Sequence, residues 1–344
     1  MSRQLAIAAV FLAVALYGWN ASFLATVPED ARTRFLAHRG VHQTFDQKGL
    51  ENDTCTAQRI DPPRHGLIEN TLPSMRAAFE AGAEVVELDV HPTTDGQFAV
   101  MHDWTLDCRT EGTGDVRSHN MAYLKTLDVG YGYTADGGAS HPLRGTGVGM
   151  MPSLAEVFEA FPQGRFLVNF KSREAREGDM LAALLDAHPE WRERIWGVYG
   201  GDAPTSRAKA LIPGLRGYGK TDVIRCLLQY EALGWSGFVP SACRDALVPV
   251  PVNFAGWLWG WPNRFIARMR DAGSTVILLG PAELTELGSR GLDSPEALDR
   301  IPADFDGYVW TNRIETVAPA FAASDRNGAA WDRPPIPAPP SPAS

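Results

Sequence analysis

Nine short apolar runs bounded by turn residues, with helical segments between several of them, constrain this chain's fold more than any other feature. The runs are 34–38, 84–90, 98–102, 165–171, 195–199, 215–218, 247–252, 275–279 and 307–311. Helical periodicity marks 72–81, 154–161, 179–187 and 264–272, the last stopping at Gly273. Strands that alternate with helices predict a parallel sheet covered by helices. The fold class is therefore α/β, and roughly 295 residues between Glu29 and Ala323 suit a (β/α)8 TIM barrel. Nine candidate strands for eight barrel positions make one of them extra or irregular. The link from Val90 to Phe98 is too short to hold a helix and marks that irregularity. The segment 41–68 has no clear period and reads as an inserted loop region after strand 1, at the rim above a site.

Composition narrows the class. Hydrophobic residues make up 44% of the 344, enough for a packed core and too many for an intrinsically disordered chain. The 33 glycines and 25 prolines follow no strict period, which excludes collagen-like and repeat architectures. The formal net charge of −9, with no dense Lys/Arg run, excludes nucleic acid as a partner. An acidic chain that handles a phosphate ester would favour a bound cation over a lysine-rich clamp.

The two ends read as separate from the fold. Leu5 to Trp19 is uninterruptedly apolar, follows Arg3 and extends with one Asn and one Ser to Ala25. As a helix these roughly 21 residues would reach about 31 Å, close to a bilayer core. The residue pairs offered to a signal peptidase, Trp19/Ala21, Asn20/Ser22 and Phe23/Ala25, each contain a bulky or polar member. Residues 1–26 are therefore expected to be an uncleaved signal anchor, a transmembrane helix with a membrane as partner. Arg3 on the inside would leave the catalytic domain, 27–323, extracytoplasmic, periplasmic or at the cell surface. The tail, 324–344, is proline-rich and is expected to be disordered.

Polar residues concentrate at the ends of the early runs. FLAHRG (35–40) delivers His38 and Arg39, and EVVELDV (84–90) sets Glu87 and Asp89 two apart, on one face of a strand. FAVMHD (98–103) ends in His102 and Asp103, and RFLVNFK (165–171) places Asn169 and Lys171 on a common face. Inward carboxylates in a barrel need compensation, and Glu, Asp and Asn oxygens suit the hard divalent cations Mg2+ or Ca2+. Two histidines supply a general acid and a general base, and Arg39 and Lys171 supply positive charge for a phosphoryl group. Each motif alone is an ordinary strand end or turn. Their ordered conjunction is what points to a site.

The run AHRG … ENT … AFEAGAEVVELDVHPTTDGQFAVMHDWTLDCRT resembles the glycerophosphodiester phosphodiesterase family. The likeness continues in MPSLAEVFEAF (151–161), NFK (169–171) and DGYVWTNR (306–313). The resemblance implies a TIM barrel that hydrolyses a small-molecule or lipid phosphodiester to an alcohol and glycerol 3-phosphate with a divalent metal. Carried over by position, it implies His38 and His102 as the acid/base pair and Glu87, Asp89 and Asn169 as metal ligands. Arg39 and Lys171 would bind phosphate, with Glu69 and Asn70 of the ENT motif at the rim of the site. The family usually has Glu where this chain has Asn169, so one negative charge is missing. Two alternatives accompany this reading: a lysophospholipase D acting on lysolipids, and a phosphoryl-binding barrel without catalysis.

Other residues carry expectations. Trp257, Trp259 and Trp261 alternate along 253–265, either as a core loop or as three rings on one face of an extended, membrane-facing lip. Four cysteines fit an oxidising compartment. If 41–68 folds over the site, a Cys55–Cys108 bridge would pin it and Cys226–Cys243 would form the second; four free thiols are the alternative. His91 lies within reach of a metal or phosphate, or at the rim. Asp103 either orients His102 or caps the next turn. His42, His65, His119, His141 and His188 are expected at the surface.

Overall fold

The computed structural model describes residues 3–51, 54–282 and 290–324, so the expectation for the tail lies, from residue 325 on, outside the described residues. All nine apolar runs form strands: β1 (Thr33–His38), β2 (Ala83–Pro92), β3 (Phe98–Val100), β4 (Phe166–Phe170), β5 (Ile195–Gly200), β6 (Gly217–Gly219), β7 (Leu247–Pro251), β8 (Thr275–Leu279) and β9 (Gly307–Thr311). Eight of them run parallel in the order β6-β5-β4-β2-β1-β9-β8-β7, a nearly closed TIM barrel. The ninth is β3, which folds back antiparallel onto the end of β2, as the short link before Phe98 requires. Helices Leu72–Glu80, Leu154–Ala160, Arg176–Ala187 and Asn263–Asp271 agree with the periodic segments. Asp202–Leu211, Lys220–Leu233 and Ile314–Ala322 are further helices that the period does not announce.

Alternation along the strands divides the apolar residues between two cores. Phe35, Ala37, Val86, Leu88, Val90, Phe166, Val168 and Phe170 face the helices. Leu36, Val85, Leu167, Leu247, Ile277, Tyr308 and Trp310 fill the barrel interior. Following Val85 at the same two-residue period, Glu87 and Asp89 fall on the interior face above that apolar filling. A third cluster lies outside the barrel, where Ala57, Ile60 and Ile68 of the first insertion meet Leu106, Val116, Leu124, Val129 and Tyr133. The rim therefore has two layers of insertion. The second, from Met101 to the helix cap at Ser153, was not foreseen from the sequence. Cys55–Cys108 joins the two layers and Cys226–Cys243 ties helix Lys220–Leu233 to the approach of β7, so both bridges form.

One expectation is corrected. Among the described residues no helix is long and apolar enough to cross a membrane. The N-terminal helix spans Arg3–Asn20, 18 residues, or about 27 Å, with polar residues at both ends. It stops because Asn20 turns back onto Leu16 O (3.0 Å) and reaches Trp235 O (2.9 Å). Arg268 then holds Asn20 Oδ1 at 3.0 Å, and Asn263 N donates to Ser22 Oγ at 2.8 Å, which fastens this end to the barrel. Of the two readings of the tryptophans, the core loop holds for two of the three rings and the shared extended face does not form. A short helix, Val252–Ala255, and turns break the extended run. Trp259 and Trp261 pack on the core, whereas Trp257 is 74% exposed.

Candidate active site

The strand ends assemble a polar mouth. β1 delivers His38 beside Glu87 of β2, and Asp89 is the register partner of Asn169 in β4. The chain leaves β1 through a left-handed turn, with φ of 59° at Arg39 and 80° at Gly40. A Cβ at Gly40 would fall 2.2 Å from Ser74 Oγ, so only glycine fits there. Asn70 is also left-handed, with φ of 59°. Non-glycine residues in this region cost about 1–3 kcal/mol each and persist where surrounding contacts fix them. Here those contacts are Arg39 N donating to Glu87 Oε2 (3.1 Å) and Asn70 Nδ2 donating to Asp89 Oδ2 (3.0 Å).

Every site residue expected from the sequence lies in this mouth. Arg39 bridges Glu69 (3.0 Å), Asp89 (3.4 Å) and His38 Nε2 (3.2 Å). Lys171 Nζ stands 3.5 Å from Asp89 Oδ1. Asn169 Nδ2 donates to Asp89 Oδ1 (2.8 Å) and to Tyr199 OH (3.0 Å), and Tyr199 OH donates to Glu87 Oε1 (2.7 Å). Burial and the charge of Asp89 push the Glu87 carboxyl up to about 8. Burial also opposes ionisation of Asp89, but Lys171, His102 and Arg39 overcome it and hold Asp89 well below the usual carboxylate range.

The two imidazoles have different partners. His38 Nδ1 lies 2.6 Å from Asn312 Oδ1, and the Asn312 amide nitrogen donates to Asp293 Oδ2 at 2.8 Å. That network fixes the proton on Nδ1 and leaves Nε2 as an acceptor. Burial and then Arg39 hold His38 well below its ordinary value, so it is neutral. His102 Nδ1 instead meets the Asp103 carboxylate at 2.7 Å, and Asp103 Oδ2 accepts from Arg109 Nε at 2.8 Å. Asp103 therefore orients His102 rather than capping a turn. Burial, Arg39 and Lys171 also lower His102, and Asp103 works in the opposite direction.

Four contributors carried no assignment from the sequence. Arg109 is buried, faces Glu69 Oε2 at 3.2 Å and donates to Thr56 Oγ1 at 2.7 Å and to Tyr133 OH. Its signal was the DCRT of the motif run, just as WTNR held Asn312. Tyr199 and Asp293 had none beyond a strand-end aromatic and a loop acid. His42 corrects the surface expectation: it is buried, with its ring 6.3 Å from that of His38. Its Nδ1–H donates to Gln43 O (2.8 Å), and Nε2 is without a protein partner. The indole Nε1–H of Trp310, whose ring lies 4.8 Å from that of His38, is likewise buried and unpartnered. His91 is buried and held down to about 3 by burial and Lys171, so it is neutral.

Residues 38–182 match the family model of the glycerophosphoryl diester phosphodiesterase family, a stretch that contains both histidines, both carboxylates and the NFK strand. Over that stretch the chain is similar to this family. A glycerophosphodiester phosphodiesterase of Caldanaerobacter subterraneus is 36% identical over 103 residues, 30% of this chain and 39% of that relative. The chain thus spans about two-fifths of that family member's length. In fold, the glycerophosphoryl diester phosphodiesterase domain of a Mycobacterium tuberculosis protein superposes with a TM-score of 0.57 at 18% identity, covering 82% of this chain and 97% of that one. An Oleispira antarctica phosphodiesterase in complex with the product sn-glycerol-3-phosphate gives 0.50 at 20% identity, covering 86% and 98%.

The family is generally dependent on a divalent metal, and the donors here can be tested for it. Among the described residues no group of three or more His, Cys, Asp or Glu side chains is placed to hold a metal ion. Glu87 and Asp89 do fit the mode in which Mg2+ takes one or two carboxylates and completes its shell with water and substrate phosphate. Asn169 presents its amide nitrogen, not its carbonyl, to Asp89.

Proposed function

We propose that this chain hydrolyses glycerophosphodiesters to an alcohol and glycerol 3-phosphate. The carrying observation is the pair of half-buried imidazoles around Asp89, one hydrogen-bonded to a neutral amide and the other to a carboxylate. His38, an acceptor at Nε2, takes the proton of the attacking oxygen. His102, whose Nδ1–H faces Asp103, protonates the leaving alkoxide, with Asp103 supporting the imidazolium against burial, Arg39 and Lys171. Arg39 and Lys171 hold the phosphoryl oxygens through charge-assisted hydrogen bonds. Glu87 and Asp89 would hold a divalent cation, Mg2+ or Ca2+, which supplies Lewis-acid and templating chemistry when bound. The product-bound Oleispira neighbour supports the same product class.

The test is release of glycerol 3-phosphate from glycerophosphocholine by the purified full chain, with and without chelator. Turnover that chelator abolishes is expected; no product under any metal condition refutes the reading. A lysolipid substrate is the second reading, favoured by exposed Trp257 and Phe254 on the segment after β7. Activity on lysolipids with none on water-soluble diesters would establish it in place of the first.

The catalytic domain is proposed to be extracytoplasmic, supported by two disulfides with no free cysteine among the described residues. Phe11, Leu12, Val14 and Tyr17 expose an apolar surface on the N-terminal helix that supports contact with a lipid surface. Protease accessibility of the domain in intact cells tests this placement.

A further inference from the structure

The barrel has a seam. β6 pairs only with β5 and β7 only with β8, so the strand order runs from β6 to β7 without a ladder joining these two edges. A cavity of about 240 Å³ opens along the seam, walled by helices Asp202–Leu211 and Lys220–Leu233 and by the segment that leads into β7. The Cys226–Cys243 bridge holds the second helix to that segment and fixes the width between them.

Three cations line this hollow, Lys209, Arg225 and Arg244, against one carboxylate, Asp222. Lys209 Nζ and Arg244 Nε reach only backbone carbonyls, Gly217 O at 3.3 Å and Val239 O at 3.2 Å. Arg225 is 3.9 Å from Asp222, the longest reach of an ion pair. Two exposed arginines elsewhere, Arg207 with Asp179 (2.7 Å) and Arg192 with Asp186 (2.5 Å), sit closer against their acids than Arg225 does. Three loosely engaged cations around one hollow, with a net charge of +2, match a dianion. The hydroxyl of Ser241 on the same wall adds a neutral donor.

We infer that the β6–β7 seam is a binding site for a small phosphate dianion, inorganic phosphate or a compact phosphate monoester, separate from the catalytic mouth. The mouth lies across the barrel wall: Tyr218 lines the seam and stacks on Tyr199 at 5.1 Å, and Tyr199 carries the hydrogen bond to Glu87. The volume admits a phosphate with several carbons and excludes a polymer.

Titration of the full chain with inorganic phosphate in a calorimeter tests this. Two binding events are expected, one at the mouth and one at the seam. Lys209→Gln/Arg244→Gln removes the seam event, weakening it by roughly tenfold or more per cation, and leaves turnover of glycerophosphocholine unchanged. Lys209→Arg/Arg244→Lys retains it, and Arg39→Ala removes the other event alone. On the unmodified protein, phosphate slows hydrogen exchange of residues 217–223 and 241–248. A double-Gln variant that titrates like the unmodified chain, or exchange at the seam that phosphate leaves unchanged, overturns the inference.

Discussion

Arg109→Met removes one buried cation and keeps most of its volume, and its consequences follow from four contacts. Arg109 is 3% exposed and engages Asp103 at 2.8 Å, Glu69 at 3.2 Å, Thr56 at 2.7 Å and the Tyr133 hydroxyl. After substitution Glu69 keeps Arg39 at 3.0 Å, but Asp103 keeps only His102. Leaving one buried carboxylate without its main partner costs about 3–5 kcal/mol. With an unfolding entropy of roughly 0.6 kcal/mol/K for a barrel of this size, the melting temperature falls by about 5–8 °C. Burial opposes the charge of both acids, but Arg109 overcomes it and holds each below its ordinary value. Their stabilising contribution is therefore present above the ordinary carboxylate range and is lost as pH falls through the lower folded values. In the variant that contribution is smaller and its loss is complete at a higher pH. Because Asp103 no longer has a fixed orientation, kcat also falls by about 10–100-fold while KM changes little. Arg109→Lys restores little, since a point charge cannot fork to several acceptors at once. Calorimetric melting across pH and initial-rate kinetics measure both effects. An unchanged melting temperature with unchanged kcat refutes the view that Arg109 is the girder behind His102.

His38→Asn and His102→Asn each lower turnover by about 10²–10⁴-fold with little change in melting temperature, since each acts in proton transfer; a variant with near-full rate removes that residue from the mechanism. Asp103→Asn takes away the group that supports imidazolium on His102, so the high-pH limb of kcat/KM moves down by roughly 1–2 units; an unmoved limb means that His102 is not the acid. The Cys55–Cys108 bridge spans 53 residues, and Cys55→Ala/Cys108→Ala loses about 4 kcal/mol of unfolding free energy in the chain-entropy account. A denaturant midpoint equal to that of the unmodified protein would contradict this loss.

The barrel was legible because its strands are buried on both faces and stand out as apolar runs, with His38, Glu87, Asp89, His102 and Asn169 interrupting them at the mouth. The second insertion was not, because Leu106, Val116, Leu124 and Val129 meet through turns, and residues that converge through turns leave no period to read. Helix Asp202–Leu211 buries only Pro204, Thr205 and Ala208 on its inner side, too small and polar a stripe to announce itself. The first histidine motif singled out His38 without dividing acid from base, and its partner Asn312 is 274 residues away and is joined to it by barrel closure alone. Arg109 and Tyr199 were similarly invisible as partners: one stands in a loop, and the other ends a strand like any core aromatic. The N-terminal run showed its apolar character but not its end, which depends on Asn20 finding Trp235 and Arg268 across the fold.

Asn169 acquires its meaning from the charge around it. Arg39, Lys171 and Arg109 stand against Glu69, Glu87, Asp89 and Asp103, a net charge of −1 when all are ionised. The mouth relieves even that excess, since burial beside Asp89 pushes Glu87 up to about 8 and keeps it largely protonated at neutral pH. A divalent cation reverses the preference, so its binding must release a proton from Glu87 and strengthen as pH rises. Asn169→Glu therefore acts with opposite signs in the two states. Without metal it sets a third acid against Asp89 and replaces an amide that donates at 2.8 Å by an acceptor, so the melting temperature falls. With metal the added charge tightens the ion, and the gap between the melting temperatures with and without Mg2+ or Ca2+ widens beyond that of the unmodified chain. Melting curves and calorimetric metal titrations at two pH values measure both arms. A variant whose metal affinity equals that of the unmodified protein would place Asn169 outside the cation's reach, and the amide would then serve only to hold Asp89 and Tyr199.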